Sequence, residues 1–137
     1  MRLLVTGGCG FIGSHFIRVI LSERPDWEVV NLDALTYAGN LASSLDFQMN
    51  PRYRFVYGSV TNKDIVDSLV KDVDAVVHFA AETHVERSLD NVEPFIFTNI
   101  LGTSRLMDAC RKYGKRFHHI STDEVFGSLG PADPKFK

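Results

Sequence analysis

Val5-Thr6-Gly7-Gly8-Cys9-Gly10-Phe11-Ile12-Gly13-Ser14-His15 decides the fold. Gly7, Gly10 and Gly13 recur every third residue, directly after the apolar run Arg2–Thr6 and at the head of a segment with helical period. Glycines alone mark many strand–helix turns, so the context carries the reading. Gly7 permits a tight turn out of a strand, Gly10 lets backbone approach a pyrophosphate, and Gly13 allows close packing of helix on strand. The amides of the helix tip, around Phe11 and Ile12, then face phosphate with a favourable dipole. Twenty residues after Gly13, Asp33 closes the next strand, where a carboxylate accepts hydrogen bonds from adenosine ribose hydroxyls. Together these features predict a dinucleotide site. A carboxylate at that position repels a 2′-phosphate, and no Arg or Lys lies between Asp33 and Pro51 to neutralise one. The expected cofactor is therefore NAD rather than NADP.

Outward from this turn, short β-rich apolar runs alternate with longer stretches of helical period, the pattern of parallel βαβ units. Strands are predicted at Arg2–Thr6, 27–32, Tyr53–Tyr57, 75–79 and 116–121. Helices are predicted at Phe11–Glu23, ending ahead of Pro25, at 62–70 with Thr61 as N-cap, and at 92–113, stopped by Gly114. A short helix is expected within 41–49, and 80–91 reads as a polar loop at a strand's carboxyl end. Right-handed crossovers give an α/β, Rossmann-type, doubly wound parallel sheet of order 3-2-1-4-5. Its switch point lies between the first and fourth strands, where such sheets bind ligands.

The 137 residues, at 45% hydrophobic and 23% charged, form one domain of ordinary soluble composition. A net charge of −2, with scattered Lys and Arg, argues against nucleic acid or an anionic membrane as partner. No stretch approaches the ~18 apolar residues of a membrane span, and the N-terminal residues read as a strand, not a signal peptide. Cys9 and Cys110 form no disulfide framework, which suits a cytoplasmic setting. The five histidines lack ligand spacing, so no metal is expected, and His78 reads as a hydrogen-bonded core residue. His118 and His119, adjacent on a strand, should face opposite sides of the sheet.

Three segments, TGGCGFIGSH, NLDALTYAGN and HFAAETHVERS with the later HHISTDEVFG, resemble the dTDP-glucose 4,6-dehydratases, a family within the extended short-chain dehydrogenases. The resemblance covers essentially the whole chain. It implies that Phe11 and Ile12 meet the pyrophosphate, and that Asp33, Ala34, Leu35 and Thr36 surround the adenosine ribose. It places Phe79, Ala80, Ala81, Thr83 and Thr98 on the nicotinamide side, with Thr83 also touching the nucleotide-sugar substrate. Ser59, before Val60, stands where the family has an Asp that accepts from adenine, and Phe126 stands where it has a Tyr.

The adjacent acids Asp123 and Glu124 would in isolation be a solvated loop. The resemblance gives them roles in dehydrating dTDP-glucose to its 4-keto-6-deoxy form, a step of deoxysugar biosynthesis. Oxidation at carbon 4 by NAD acidifies the carbon 5 hydrogen, Glu124 removes that proton, Asp123 protonates the hydroxyl leaving carbon 6, and the hydride finally returns to carbon 6. Thr122 would hydrogen-bond the carbon 4 hydroxyl. Asp123 would need a raised pKa to hold its proton. The family's hydride step also uses a Tyr and a Lys four apart on the following helix, and Tyr113 has no lysine at 117. Residues 127–137 read as a cut end, so 1–137 is expected to be an incomplete NAD-binding domain, inactive alone and lacking the substrate lobe. The resemblance implies a homodimer for the whole enzyme, built partly on the long helix. The alternatives are an NAD-binding module without turnover, a UDP-sugar 4-epimerase, or a dehydratase for another nucleotide sugar.

Overall fold

The computed structural model describes residues 1–135. Strands β1 (Arg2–Thr6), β2 (Glu28–Asp33), β3 (Tyr53–Tyr57), β4 (Ala75–His78) and β5 (Arg116–His119) form one parallel sheet of order β3-β2-β1-β4-β5, as predicted. Leu4 of β1 aligns with Val30 on one side and Val76 on the other. Side chains alternate across a strand, so the sheet feeds two cores. Leu4, Val30, Leu32 and Val76 pack on one face with Val66, Leu69, Val70, Leu106 and Cys110. Leu3, Val5, Val29 and Ala75 pack on the other with Ile17, Ile20, Leu21 and Tyr53.

The helices covering these faces follow from local sequence. In α1 (Phe11–Glu23) the buried positions Gly13, Ile17, Ile20 and Leu21 form one stripe toward the sheet. Pro25 bars its continuation, and the Arg52 guanidinium donates to the carbonyls of Leu21, Arg24 and Trp27 at its end. In α2 (Lys63–Lys71) Val66, Leu69 and Val70 face inward, while Asp64 and Lys71 complement the dipole at either end. After the short helices α3 (Val85–Asp90) and α4 (Glu93–Phe95), a π-helical stretch spans Ile96–Gly102 and leads into α5 (Thr103–Tyr113). Gly114 ends α5 in the left-handed conformation at φ 63°, and Lys115 N donates to Cys110 O.

Several expectations need correction. The N-cap of α2 is Asn62, whose Oδ1 accepts from Asp64 N and Ile65 N, whereas the Thr61 hydroxyl pairs with Ser59 Oγ. The polar 80–91 segment contains α3, a six-residue helix too short and too polar to carry an apolar stripe. The helix predicted over 92–113 is not regularly α-helical. Its π stretch escapes a periodicity argument, which reports faces rather than hydrogen-bond register. Within 41–49 only a 3₁₀ turn forms, Leu41–Ser44. β2 is shifted to Glu28–Asp33, because Asp33 continues the ladder opposite Tyr57. β4 and β5 end at His78 and His119, short of the predicted bounds. Of the apolar residues on the long helical run, Leu106 is fully buried, but Ile96, Phe97, Ile100 and Met107 are exposed, so core packing does not account for them. Among the described residues, no helix is long and apolar enough to cross a membrane.

Leu106 joins α5 to α2 and the sheet within one core. Leu106→Ala is expected to cost about 2–5 kcal/mol, seen as a lower urea midpoint by circular dichroism. An unchanged midpoint would contradict this packing.

Candidate functional site

Parallel strands bring all their carboxyl ends to one edge, so the predicted site residues share an edge through topology alone. The glycine turn follows β1, residues 33–36 lie at the end of β2, and Ser59 and Val60 follow β3. Residues 79–83 follow β4, and Thr122 follows β5.

The turn is built by close approach. Gly7 has φ 72°, and a Cβ there would lie 2.7 Å from Ala80 N, so β1 leaves the sheet pressed against the segment after β4. A Cβ on Gly13 would lie 2.3 Å from Gly7 O and 2.9 Å from Gly8 Cα. Gly13 therefore seats α1 on the glycine turn itself, rather than on the strand as expected. The N-cap Gly10 supplies no side-chain cap, and the first intrahelical bond runs from Ser14 N to Gly10 O. Helix geometry leaves the N–H groups of Phe11, Ile12 and Gly13 without intrahelical acceptors. Phe11 and Ile12 are 91% and 63% exposed, so this tip is open to an anion.

From below, β2 holds the turn with two polar side chains. Asp33 Oδ2 accepts from Cys9 N at 2.8 Å, and Oδ1 accepts from Leu35 N at 2.8 Å. Asn31 Oδ1 accepts from Gly8 N at 3.0 Å, while its Nδ2 donates to Tyr53 Oη at 2.9 Å. Asn31 is fully buried. Cys9 is buried beside this network, and burial together with the Asp33 charge pushes its thiol up to about 11. An ionised carboxylate has about four acceptor positions, so Asp33 can hold the turn and still accept from a ribose hydroxyl. Leu35 sits in the left-handed region at φ 50°, a cost offset in part by its bond to Asp33.

On the β4 side, His78 is buried between two hydroxyls, with Nδ1 2.6 Å from Thr6 Oγ1 and Nε2 2.9 Å from Thr103 Oγ1. Thr6 Oγ1 also accepts from Ala80 N at 3.4 Å. A neutral ring satisfies both contacts when Nδ1 accepts from Thr6 and a proton on Nε2 goes to Thr103. Burial, and to a lesser extent the neighbouring His119, pushes His78 down to about 4. The expected core role of His78 is thus met. Further along, Asn99 in the π stretch holds Glu82 by both backbone groups, at 2.8 and 2.9 Å. Thr98 precedes it in the same stretch and is half-buried.

Other predicted residues are placed less tightly. Ser59 Oγ is engaged with Thr61, through its hydroxyl at 2.8 Å and its N–H at 3.1 Å. Val60 is buried, and a Cβ on Gly102 would meet its Cγ2 at 2.5 Å. Ala34 is half-buried, and Thr36, Ala81, Thr83 and Thr122 are exposed. The side chains of Asp123 and Glu124 lie outside the described residues; their backbone belongs to a 3₁₀ turn, Asp123–Phe126. Sequence reasoning missed Asn31, Tyr53 and Asn99. A lone amide inside the apolar run Glu28–Asp33 was the available signal for the first.

The sequence profile of the family described as GDP-mannose 4,6 dehydratase matches residues 4–136. The chain belongs to that family. Among its relatives is a dTDP-glucose 4,6-dehydratase of Mycobacterium tuberculosis (strain CDC 1551 / Oshkosh), 54% identical over 129 residues, which cover 94% of this chain and 38% of the relative. The fold matches the crystal structure of DesIV, a dTDP-glucose 4,6-dehydratase from Streptomyces venezuelae with NAD and TYD bound. That match has a TM-score of 0.91 at 47% identity, covering 96% of this chain and 42% of that one. A UDP-glucuronic acid 4-epimerase from Bacillus cereus, in complex with UDP-glucuronic acid and NAD, matches at 32% identity and TM-score 0.87 over 98% of this chain and 44% of its own. The chain spans about two-fifths of the length of these relatives.

Two outcomes follow from the buried polar groups. Asn31→Leu leaves Gly8 N without its acceptor and is expected to destabilise the fold by about 1–3 kcal/mol, measured by urea unfolding. For His78, the unfolded ring takes a proton near pH 6.5 and the folded ring only near 4, so stability is retained above the first value and lost on descending toward the second. Unfolding free energies measured between pH 7 and pH 4 should fall by up to ~3 kcal/mol from this group. His78→Asn should flatten that part of the curve, and an identical curve for the variant would remove His78 as its source.

Proposed function

We propose that this chain is the NAD-binding part of a dTDP-glucose 4,6-dehydratase. The observation that carries the reading is the glycine turn whose Cys9 amide is held by Asp33 at the end of β2, in a chain 54% identical to such a dehydratase. The residues fit the cofactor. First-turn amides at Phe11 and Ile12 would take the pyrophosphate, and the remaining acceptor positions of Asp33 would take the adenosine ribose. Ala34, Leu35 and Thr36 would border that ribose, and Val60 with Ser59 would border the adenine. The β4 segment, Phe79, Ala80, Ala81 and Thr83, would flank the nicotinamide together with Thr98.

When bound, NAD would supply reversible oxidation of the sugar. The chain's own residues would do the rest. Thr122 would hold the carbon 4 hydroxyl, Glu124 would take the carbon 5 proton, and Asp123 would give a proton to the departing carbon 6 hydroxyl. Thr83 would touch the sugar. The working enzyme would be a cytoplasmic homodimer, with the exposed Ile96, Phe97, Ile100 and Met107 forming part of the contact. A UDP-sugar 4-epimerase is the second reading, favoured by the Bacillus cereus neighbour. An epimerase performs no elimination and has no use for an adjacent acid and base.

Incubation of the intact protein with dTDP-glucose and NAD is expected to yield the 4-keto-6-deoxy sugar, with light scattering reporting two subunits. Formation of dTDP-galactose instead would favour the epimerase. Glu124→Gln should cut turnover by at least a hundredfold, the lower range for loss of a positioned base, and leave the absorbance of reduced nicotinamide on the protein. Residues 1–137 tested alone should bind NAD without turnover, because this sequence contains no Tyr–Lys pair four residues apart for the oxidation step.

A further inference from the structure

β2 and β4 flank β1 on opposite sides. Any direct contact between the segments that follow them therefore spans the end of β1, from which the glycine turn departs. Such a contact exists. The Arg87 guanidinium carbon lies 4.0 Å from the centroid of the Tyr37 ring, and the His84 ring lies 5.2 Å from that centroid at an interplanar angle of 55°. Tyr37 belongs to the segment after β2, while His84 and Arg87 belong to the segment after β4 and to α3.

Both arms are anchored where they leave the sheet. In the first, Leu35 N donates to Asp33, Gly39 N donates to Thr36 O, and Asn40 N donates back to Cys9 O in the glycine turn. In the second, Ala80 N donates to Thr6 Oγ1, and Glu82 is held by Asn99. The arms are thus fixed at their bases and joined at their tips by one aromatic ring, one imidazole and one guanidinium.

We propose that Tyr37, His84 and Arg87 form a strap across the mouth of the dinucleotide crevice that slows release of the bound cofactor. The proposal rests on the reading of that crevice as an NAD site. The chemistry suits a strap. Tyr37, His84 and Arg87 are all exposed, and a cation over an exposed aromatic face is a weak contact that can part and re-form. It depends on the face of the ring and not on the tyrosine hydroxyl. Both contacts meet at the Tyr37 ring, so removing that ring severs the bridge and removing Arg87 takes away its nearer contact, in neither case opening the core.

The test is the rate at which NAD leaves the intact protein when the holoprotein is mixed with excess etheno-NAD and fluorescence is followed by stopped flow. Tyr37→Leu and Arg87→Ala are each expected to speed release about three- to tenfold. Tyr37→Phe, which keeps the ring, should release at the wild-type rate. The double variant should be no faster than the faster single variant, because both break the same link. Thermal midpoints serve as the control and should stay with wild type. Release unaltered in Tyr37→Leu and Arg87→Ala, or Tyr37→Phe as fast as Tyr37→Leu, overturns the strap while leaving the NAD reading intact. A wild-type protein that takes up no dinucleotide overturns both.

Discussion

A buried carboxylate and a buried amide on one strand hold up the rest of the site. The glycine turn after β1 has only the side chain of Cys9 with which to fix its own shape, so its amides must be fixed from outside. Asp33 takes the Cys9 amide and Asn31 takes that of Gly8. Both acceptors belong to β2, whose register against β1 is set by the ladder from Arg2↔Glu28 to Thr6↔Leu32. Sheet register thereby determines where the helix tip points. Buried polar groups carry a penalty unless they are paired, and here the pairing is complete: no buried side-chain nitrogen or oxygen among the described residues lacks a partner.

The opposite wall of the crevice is fixed by a second polar chain. Thr6, His78 and Thr103 join β1, β4 and the start of α5 through one imidazole. Burial keeps that ring neutral over the ordinary physiological range, which the donor–acceptor pattern needs, since a protonated ring could not accept from Thr6. Gly7 closes the space between the walls by admitting the Ala80 backbone where any side chain would collide. The π stretch adds a further tie by presenting Asn99 to Glu82. It also carries Thr98, assigned by proposal to the nicotinamide side, and π-helical turns recur at functional sites in other proteins.

These ties divide the edge of the sheet into a rigid floor and softer covers. The floor consists of Asn31, Asp33, Thr6, His78 and the glycines, all fixed by hydrogen bonds or close contact. The covers, residues 34–40 and 79–90, are pinned at their bases and exposed at their tips. A site built this way pairs a fixed, open helix tip with covers joined by weak contacts, the arrangement on which the proposed cofactor site and strap rest.

Much of this protein is written locally in its residues. The spacing of Gly7, Gly10 and Gly13, the acid at Asp33 and the alternation of apolar runs determined the α/β class and the strand order 3-2-1-4-5. Each of these follows from short-range sterics, side-chain periodicity and the handedness of crossovers. Other features were settled only by contacts between residues far apart in sequence. The cap of α2 is a local exception: Ser59 engages Thr61 two residues on, and Asn62 takes the first amides of the helix. The hold of Asn99 on Glu82, the pairing of Asn31 with Gly8 and the meeting of Tyr37 with Arg87 each join segments that no local pattern relates. Periodicity records which face a residue occupies, and only the assembled sheet decides what stands opposite it.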